Sequence, residues 1–116
     1  GAAILGVPVK ATVKQVTKSQ SHKVTSGFVV DKTLDRSLLW EIQTPQAFRK
    51  ELLLEAYRRF RDVDVTDDAA LVEKLNKRVE IVLGSYDNIK ITTPEDLTVA
   101  QSLLKAKVCL EAGGGI

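Results

Sequence analysis

Apolar and polar residues alternate near the start of the chain, with a period of two over residues 7–14. This period predicts a β-strand with one apolar face and one face that carries lysine and threonine. A polar stretch separates it from residues 28–34, whose composition also predicts an extended segment. The two strands are expected to form a hairpin. Residues 1–5, which precede them, have the apolar character of a strand inside a sheet and do not resemble a natural start, so we expect that the true N-terminus is missing.

The middle of the chain follows a helical pattern. Residues 51–61 place Leu53, Tyr57 and Phe60 on one side, which predicts an amphipathic helix. Thr66 is a preferred N-cap residue and predicts a second helix that ends near Leu75.

The remaining elements are predicted from short signals. Residues 44–46 are expected to form a turn, and residues 79–83 and 88–91 to be strands, which would place Lys90 at a strand's end. A hydroxyl residue, a proline and two acids at residues 93–96 predict the start of a last helix, which should end near Lys107. Residues 109–116 contain three successive glycines and are expected to form a disordered tail.

Strands that alternate with helices predict an α/β sheet with an inserted extended hairpin. A chain of 116 residues corresponds to one domain or to a piece of one.

No apolar run approaches the roughly 18 residues that a membrane span needs, so a membrane partner is not expected. The formal charge of +2 is spread along the chain and argues against a nucleic-acid partner. None of the glycines forms the phosphate-binding turn that a nucleotide-binding α/β domain places after its first strand.

Three stretches combine cations, hydroxyls and amides in a way typical of an anion-binding site. They are residues 33–40 together with residues 44–46, residues 65–68 and residues 87–90. Arg36 in the first stretch and Lys90 in the third are the cations that could bind a phosphate. The planar guanidinium of Arg36 can bind two phosphate oxygens at once, and the ammonium of Lys90 acts as a point charge. The sequence therefore indicates a phosphate-handling enzyme.

These stretches, together with residues 8–14 and 93–97, closely resemble the C-terminal half of the 2-C-methyl-D-erythritol 4-phosphate cytidylyltransferase family. The motifs occur in the family's order and span nearly the whole chain. The resemblance implies the C-terminal part of a Rossmann-like nucleotidyltransferase sheet with an extended β-hairpin arm. Residues 1–108 would form this portion, with the arm at about residues 10–36.

The resemblance implies transfer of a cytidylyl group from CTP to methylerythritol phosphate, with Mg²⁺ and release of pyrophosphate, in isoprenoid precursor synthesis. Two anionic reactants must approach each other, so the enzyme must supply fixed cations. By resemblance, Arg36 and Lys90 are catalytic residues that position the acceptor phosphate. Thr12, Thr44 and Thr66 match threonines that contact the acceptor.

The family also implies partners. The hairpin arm would reach across a homodimer into the neighbouring active site. The CTP-binding loop and the Mg²⁺ ligand belong to the family's N-terminal half, so no metal ligand is expected in this chain, and the chain alone should be inactive. Residues 10–14 and 84–86 look most like plant or algal members. The expected location is the plastid stroma in a plant or alga, and otherwise the bacterial cytoplasm.

Each assignment has a simpler alternative. Arg36 could form a surface ion pair with Asp35, Thr66 could serve only as a helix cap, Thr44 could start a turn, and Lys90 could be an ordinary solvated lysine. At the level of the whole protein, the alternatives are a cytidylyltransferase that uses ribitol phosphate and a non-catalytic dimerisation module.

Overall fold

The computed structural model describes the backbone of residues 1–114 and the side-chain surroundings of residues 1–111. Two compact units are present, one formed by Gly1–Gly6 with the chain from Ile42 onward and one by Val7–Glu41. The secondary structure elements are, in chain order, β1 (Ala2–Pro8), β2 (Lys14–Lys18), β3 (Phe28–Thr33), a 3-10 helix (Arg36–Leu38), β4 (Trp40–Phe48), α1 (Lys50–Arg59), α2 (Asp68–Lys74), β5 (Glu80–Leu83) and α3 (Pro94–Gly114).

A three-stranded sheet in the order β4, β1, β5 organises the first unit. The central strand, β1, runs parallel to β5, with Ile4 opposite Ile81 and Leu5 opposite Val82. Ala2, Ile4 and Val7 of β1 are at most 7% exposed, as expected for a strand flanked on both edges. The prediction that the chain opens with a strand inside a sheet is confirmed.

The core of this unit lies between β1, α1 and α2. Ala56 of α1 and Val72 of α2 are 0% exposed, and Leu71 is 3% exposed. The side chains packed against the buried cluster include Phe48, Leu52, Leu53, Phe60, Val65 and Val79. The helix predicted at residues 51–61 is present as α1, and Leu53 and Phe60 pack against this core as predicted. Tyr57, predicted on the same side, is 46% exposed instead.

The N-cap of α2 is Asp67 and not Thr66, which corrects the sequence prediction. Asp67 has extended backbone angles, and its carboxylate oxygen Oδ1 accepts a 2.9 Å hydrogen bond from the backbone N–H of Ala70. Threonine and aspartate both favour this position, so the local sequence does not choose between two adjacent candidates.

Residues Thr44, Pro45 and Gln46 lie inside β4, where the sequence predicted a turn. The Thr44–Pro45 peptide bond is cis. Because β4 is an edge strand of the three-stranded sheet, the missing N–H of Pro45 is tolerated there.

The strand predicted at residues 88–91 is not formed. The backbone N–H of Asn88 donates to the carbonyl of Ser85 at 3.0 Å, and that of Ile89 donates to the carbonyl of Asp87 at 2.9 Å. These short-range hydrogen bonds fold the segment into a turn. Lys90 therefore lies in a loop and not at a strand's end.

The last helix begins as predicted, at Pro94. It extends to Gly114, beyond the predicted end near Lys107, and residues 109–114 are helical where the sequence predicted a disordered tail. Leu110, Glu111 and Ala112 in this stretch are strong helix formers, so the helix continues through them. Residues 115 and 116 of that predicted tail lie outside the described residues. Over residues 1–114, none of the helices combines the length and apolar character needed to cross a bilayer.

The second unit contains an antiparallel hairpin of β2 and β3, in which Val16 pairs with Val30. Residues 28–34 were predicted to be extended, in agreement with β3. The strand predicted at residues 7–14 is wrong, because β1 ends at Pro8 and β2 begins only at Lys14. A proline cannot donate to a strand ladder, and the N–H of Val9 instead bonds the carbonyl of Leu39 at 3.1 Å.

Candidate functional site

A cleft of about 390 Å³ in the first unit brings together three of the five predicted site residues, Thr44, Thr66 and Lys90. They come from β4, from the residue before the cap of α2, and from the loop after β5. The other residues that line the cleft are Ile42, Gln43, Gln46, Asp67 and Asn88. Sequence-distant polar groups thus meet at one concave surface, as in a ligand-binding site.

Gln46 connects β4 to the start of α2. Its side-chain amide Nε2 donates a 2.9 Å hydrogen bond to Oδ2 of Asp67, and both residues are partly buried. Since Asp67 also caps α2 through Oδ1, each of its carboxylate oxygens accepts a hydrogen bond. The position of Thr66, next to Asp67, is therefore fixed against the strand that carries Thr44.

Only one of the two neighbouring carboxylates faces the cleft. Asp68 does not line it and instead accepts a short hydrogen bond from the hydroxyl of Tyr57 on α1. The charge of Asp67 is partly compensated by its two donors, so its repulsion of a bound phosphate is reduced. Thr66 is not the cap, and among the described residues its hydroxyl makes no side-chain hydrogen bond, which leaves it available to a ligand.

Lys90 is the single cation among the residues that line the cleft within the described chain. Its side chain is exposed, and the loop that carries it is held by Asn88, whose Nδ2 donates a 2.8 Å hydrogen bond to the carbonyl of Thr44. The cleft therefore offers one positive charge beside hydroxyl, amide and carboxylate groups. This combination suits a phosphorylated molecule with several hydroxyls, since the ammonium attracts the phosphate and the polar groups hydrogen-bond the hydroxyls.

The other two predicted residues, Thr12 and Arg36, belong to the second unit. Thr12 is exposed in the segment between β1 and β2, not on a strand face as predicted. Arg36 begins the 3-10 helix, and its Nη1 donates a 2.5 Å hydrogen bond to the carbonyl of Lys10.

The ion pair considered between Arg36 and Asp35 is not formed among the described residues. Asp35 caps the 3-10 helix, and its Oδ1 accepts hydrogen bonds from the N–H and the hydroxyl of Ser37, at 3.0 and 2.7 Å. These hydrogen bonds lower the pKa of Asp35 from its ordinary value of 3.8. The guanidinium of Arg36 is therefore directed to Lys10 and not to its neighbour.

The described residues do not fit a magnesium site. Residues 1–111 contain no cluster of three or more histidine, cysteine, aspartate or glutamate side chains that could hold a metal ion. Among the residues that the structure describes, Asp67 is the one carboxylate that lines the cleft, and both of its oxygens accept hydrogen bonds from protein donors. We derive no catalytic step through a metal from these residues.

Four further residues of the cleft had no predicted role, namely Gln43, Gln46, Asp67 and Asn88, although the last three lie inside the motifs described above. Polar residues inside a strand or turn have many uses, and their hydrogen bonds here join segments more than 20 positions apart. These four residues could have been found from the sequence only by their position, because each lies within two residues of Thr44, Thr66 or Lys90.

Comparison with known families shows which family the chain matches. The sequence model described as "IspD: 2-C-methyl-D-erythritol 4-phosphate cytidylyltransferase" matches residues 1–106. A protein of that name from Pelotomaculum thermopropionicum is 52% identical, over 98% of this chain and 46% of its own length. A protein of the same name, described as chloroplastic, from Oryza sativa subsp. japonica is 49% identical over 92% of this chain and 34% of its own. The chain thus spans less than half the length of these curated relatives.

Solved structures support the same relationship. The 4-diphosphocytidyl-2C-methyl-D-erythritol synthase of Anaerococcus prevotii matches with a TM-score of 0.74 and 37% identity, over 90% of this chain and 44% of that one. The 2-C-methyl-D-erythritol 4-phosphate cytidylyltransferase of Thermus thermophilus matches with a TM-score of 0.70 and 33% identity, over 90% of this chain and 48% of that one. The α/β fold predicted from the sequence is confirmed, and the chain belongs to the 2-C-methyl-D-erythritol 4-phosphate cytidylyltransferase family.

Proposed function

We propose that this chain supplies the acceptor-binding part of an enzyme that transfers a cytidylyl group from CTP to 2-C-methyl-D-erythritol 4-phosphate and releases pyrophosphate. The observation that supports this most strongly is the convergence of Lys90, Thr44 and Thr66 on one cleft. In this proposal the cleft binds the phosphorylated polyol, and the nucleotide lies beside it.

The role of Lys90 follows from charge. The acceptor phosphate must approach the α-phosphate of an anionic nucleotide, and a fixed cation reduces the repulsion between the two groups. Lys90 would contact the acceptor phosphate, while the hydroxyls of Thr44 and Thr66 would hydrogen-bond the polyol. Thr12 and Arg36, in the second unit, would contact the acceptor in the active site of a partner subunit.

We further propose that the chain alone is inactive and needs additional polypeptide to bind CTP and Mg²⁺. The exposed surface of β5 supports this, since Ile81, Val82 and Leu83 are 46%, 51% and 70% exposed. Strands of parallel sheets are normally covered on both faces, and β5 pairs in parallel with β1. The chain spans only 46% and 34% of the length of the two curated relatives, which also supports a need for additional polypeptide.

Dimerisation through the hairpin is the remaining part of the proposal. Val16, Phe28, Val29 and Val30 are between 44% and 58% exposed on a two-stranded hairpin, which is rarely stable without further packing. A partner subunit that covered these side chains would explain their exposure. The same observation favours the alternative of a non-catalytic dimerisation module.

The proposed location is the plastid stroma for a plant or algal source and the bacterial cytoplasm otherwise.

A fusion enzyme tests the proposed reaction. In it, this chain replaces the matching part of the Pelotomaculum thermopropionicum relative, with which it shares 52% identity. Pyrophosphate release is followed with CTP, Mg²⁺ and either methylerythritol phosphate or ribitol phosphate, with the unaltered relative as the positive control. The proposal predicts release with methylerythritol phosphate. Release with ribitol phosphate alone would favour the alternative acceptor, and release with neither, while the control turns over, would contradict the proposal.

A further inference from the structure

Two side-chain amides join the loop that carries Lys90 to the strand that carries Thr44. Asn88 donates through Nδ2 to the carbonyl of Thr44 at 2.8 Å, and the same nitrogen lies 3.4 Å from Oε1 of Gln43. Gln43 donates through Nε2 to the carbonyl of Ser85 at 2.7 Å. Residues 84–90, which we call the Lys90 loop, are therefore attached to β4 at two points.

The Lys90 loop is also ordered internally. The hydroxyl of Ser85 accepts a hydrogen bond from the N–H of Asp87 at 3.1 Å, and the carbonyl of Ser85 accepts one from the N–H of Asn88 at 3.0 Å. This turn is closed by its own hydrogen bonds and is attached to β4. The backbone of Lys90, two residues after Asn88, is thereby fixed relative to Thr44.

Gly84, at the start of the loop, provides room for the Gln43 amide. Its N–H donates to the carbonyl of Gly6 at 2.9 Å, which continues the contact between β5 and β1. A Cβ atom at position 84 would overlap Oε1 of Gln43. The nearest backbone atom to that Cβ position, the Gly6 carbonyl oxygen, is 3.6 Å away, so an alanine at position 84 would displace mainly the Gln43 side chain.

We propose that Gln43 and Asn88 are positioning residues, which keep the Lys90 ammonium in a fixed position relative to Thr44 so that it can bind the acceptor phosphate. Gly84 permits this arrangement because it leaves room for the Gln43 side chain. The inference rests on the proposed function of the cleft. Both amides line the cleft, yet their donor nitrogens are used by backbone carbonyls, so their effect is exerted through Lys90 and Thr44. A lysine has a long flexible stem, and fixing the backbone that carries it removes part of its freedom before the acceptor binds.

The fusion enzyme allows this to be measured. Gln43→Ala, Asn88→Ala and Gly84→Ala are each expected to raise KM for methylerythritol phosphate by about tenfold, because small misplacements of a binding group are costly. KM for CTP should stay within about twofold, since the loop serves the acceptor. Asn88→Leu keeps the approximate size of the side chain and adds no charge to the cleft but loses the donor, and should behave like Asn88→Ala. Gln101→Ala, on the exposed surface of α3, is the matched control and should leave both constants unchanged.

A double-mutant cycle with Lys90→Ala separates positioning from the other possible roles. If Gln43 and Asn88 act through Lys90, their substitution should cost less than about twofold in the Lys90→Ala background. Full tenfold losses in that background would overturn the inference and indicate direct contact with the acceptor or a general structural role. Unchanged acceptor KM in Gly84→Ala and Asn88→Ala would overturn it as well. Failure of the proposed function is distinguishable, because the parent fusion enzyme would then release no pyrophosphate with methylerythritol phosphate.

Discussion

Thr93 and Asp96 exchange hydrogen bonds at the start of α3. The N–H of Asp96 donates to Oγ1 of Thr93 at 3.2 Å, and the N–H of Thr93 donates to Oδ2 of Asp96 at 3.0 Å. Oδ2 also accepts from the N–H and the hydroxyl of Thr92, at 3.1 and 3.0 Å. This is a capping box, with Pro94 at the first helical position. It fixes the chain immediately after Lys90.

The capping box predicts a pH dependence of stability. Hydrogen bonds from Thr92 and Thr93 lower the pKa of Asp96 below its ordinary value of 3.8, so the ionised form stabilises the folded state. This contribution is fully present above about pH 4 and is lost as the pH falls through the lowered folded-state pKa. Asp96→Asn should lower the free energy of unfolding at pH 7 and reduce the difference between pH 7 and pH 3.

Chemical denaturation at several pH values measures this effect. Glu95→Gln is the matched control, because it removes a neighbouring charge in the same helical turn but no capping hydrogen bond. An Asp96→Asn variant with the same acid dependence as the parent would show that the capping box contributes nothing to acid stability.

Tyr57 and Asp68 predict an effect at high pH. The Asp68 carboxylate accepts a hydrogen bond from the Tyr57 hydroxyl and raises the pKa of Tyr57 above its ordinary value of 10.0, by hydrogen bonding first and by charge second. The neutral phenol is therefore favoured on folding. Its contribution is present below about pH 10 and is lost as the pH rises through the raised pKa.

Titration of the tyrosine ring carbons by NMR can test this. Asp68→Asn should move the pKa of Tyr57 down towards its ordinary value, whereas Glu73→Gln, on the exposed face of α2, should leave it unchanged. Equal titration in the parent and in Asp68→Asn would disprove the link between α1 and α2.

The hairpin predicts a change in oligomeric state. Val30 is 58% exposed and pairs with Val16, so the two form one apolar face of the hairpin. If this face is an interface between subunits, Val30→Lys should convert a dimer of the fusion enzyme to a monomer, because a buried ammonium without a partner is strongly unfavourable. Light scattering coupled to size-exclusion chromatography reports the mass directly.

Asp31→Lys is the control for this experiment, since it places the same side chain on the opposite face of β3. A dimer that persists in Val30→Lys would argue against the hairpin as the interface. A fusion enzyme that is monomeric before any substitution would also argue against the hairpin as an interface.

The sequence was sufficient where neighbouring residues determine the structure. The start of α3 depends on four consecutive residues, 93–96, whose hydrogen bonds are made within the same turn. The position of α1 follows from the spacing of Leu53 and Phe60, which face the core. Lys90, Thr44 and Thr66 could be selected from the motifs that resemble the family.

The sequence was insufficient where distant segments compete for the same hydrogen bonds. Residues 7–14 alternate like a strand, but only the sheet determines that β1 ends at Pro8. Pro45 signals a turn, and its place in β4 depends on that strand being at an edge. The attachment of Asn88 to Thr44 spans 44 positions and has no local signature.

Binding of the acceptor phosphate by Lys90 is tested most directly by the KM for methylerythritol phosphate of Lys90→Ala in the fusion enzyme, compared with Lys105→Ala on the exposed surface of α3. Loss of a charge-assisted contact to phosphate typically costs about 1.5–3 kcal/mol, which corresponds to roughly 10- to 150-fold. We expect a rise of that size in KM for methylerythritol phosphate with Lys90→Ala, little change in KM for CTP, and no change with Lys105→Ala. Equal kinetic constants for the two variants would contradict the assignment of the cleft to the acceptor phosphate.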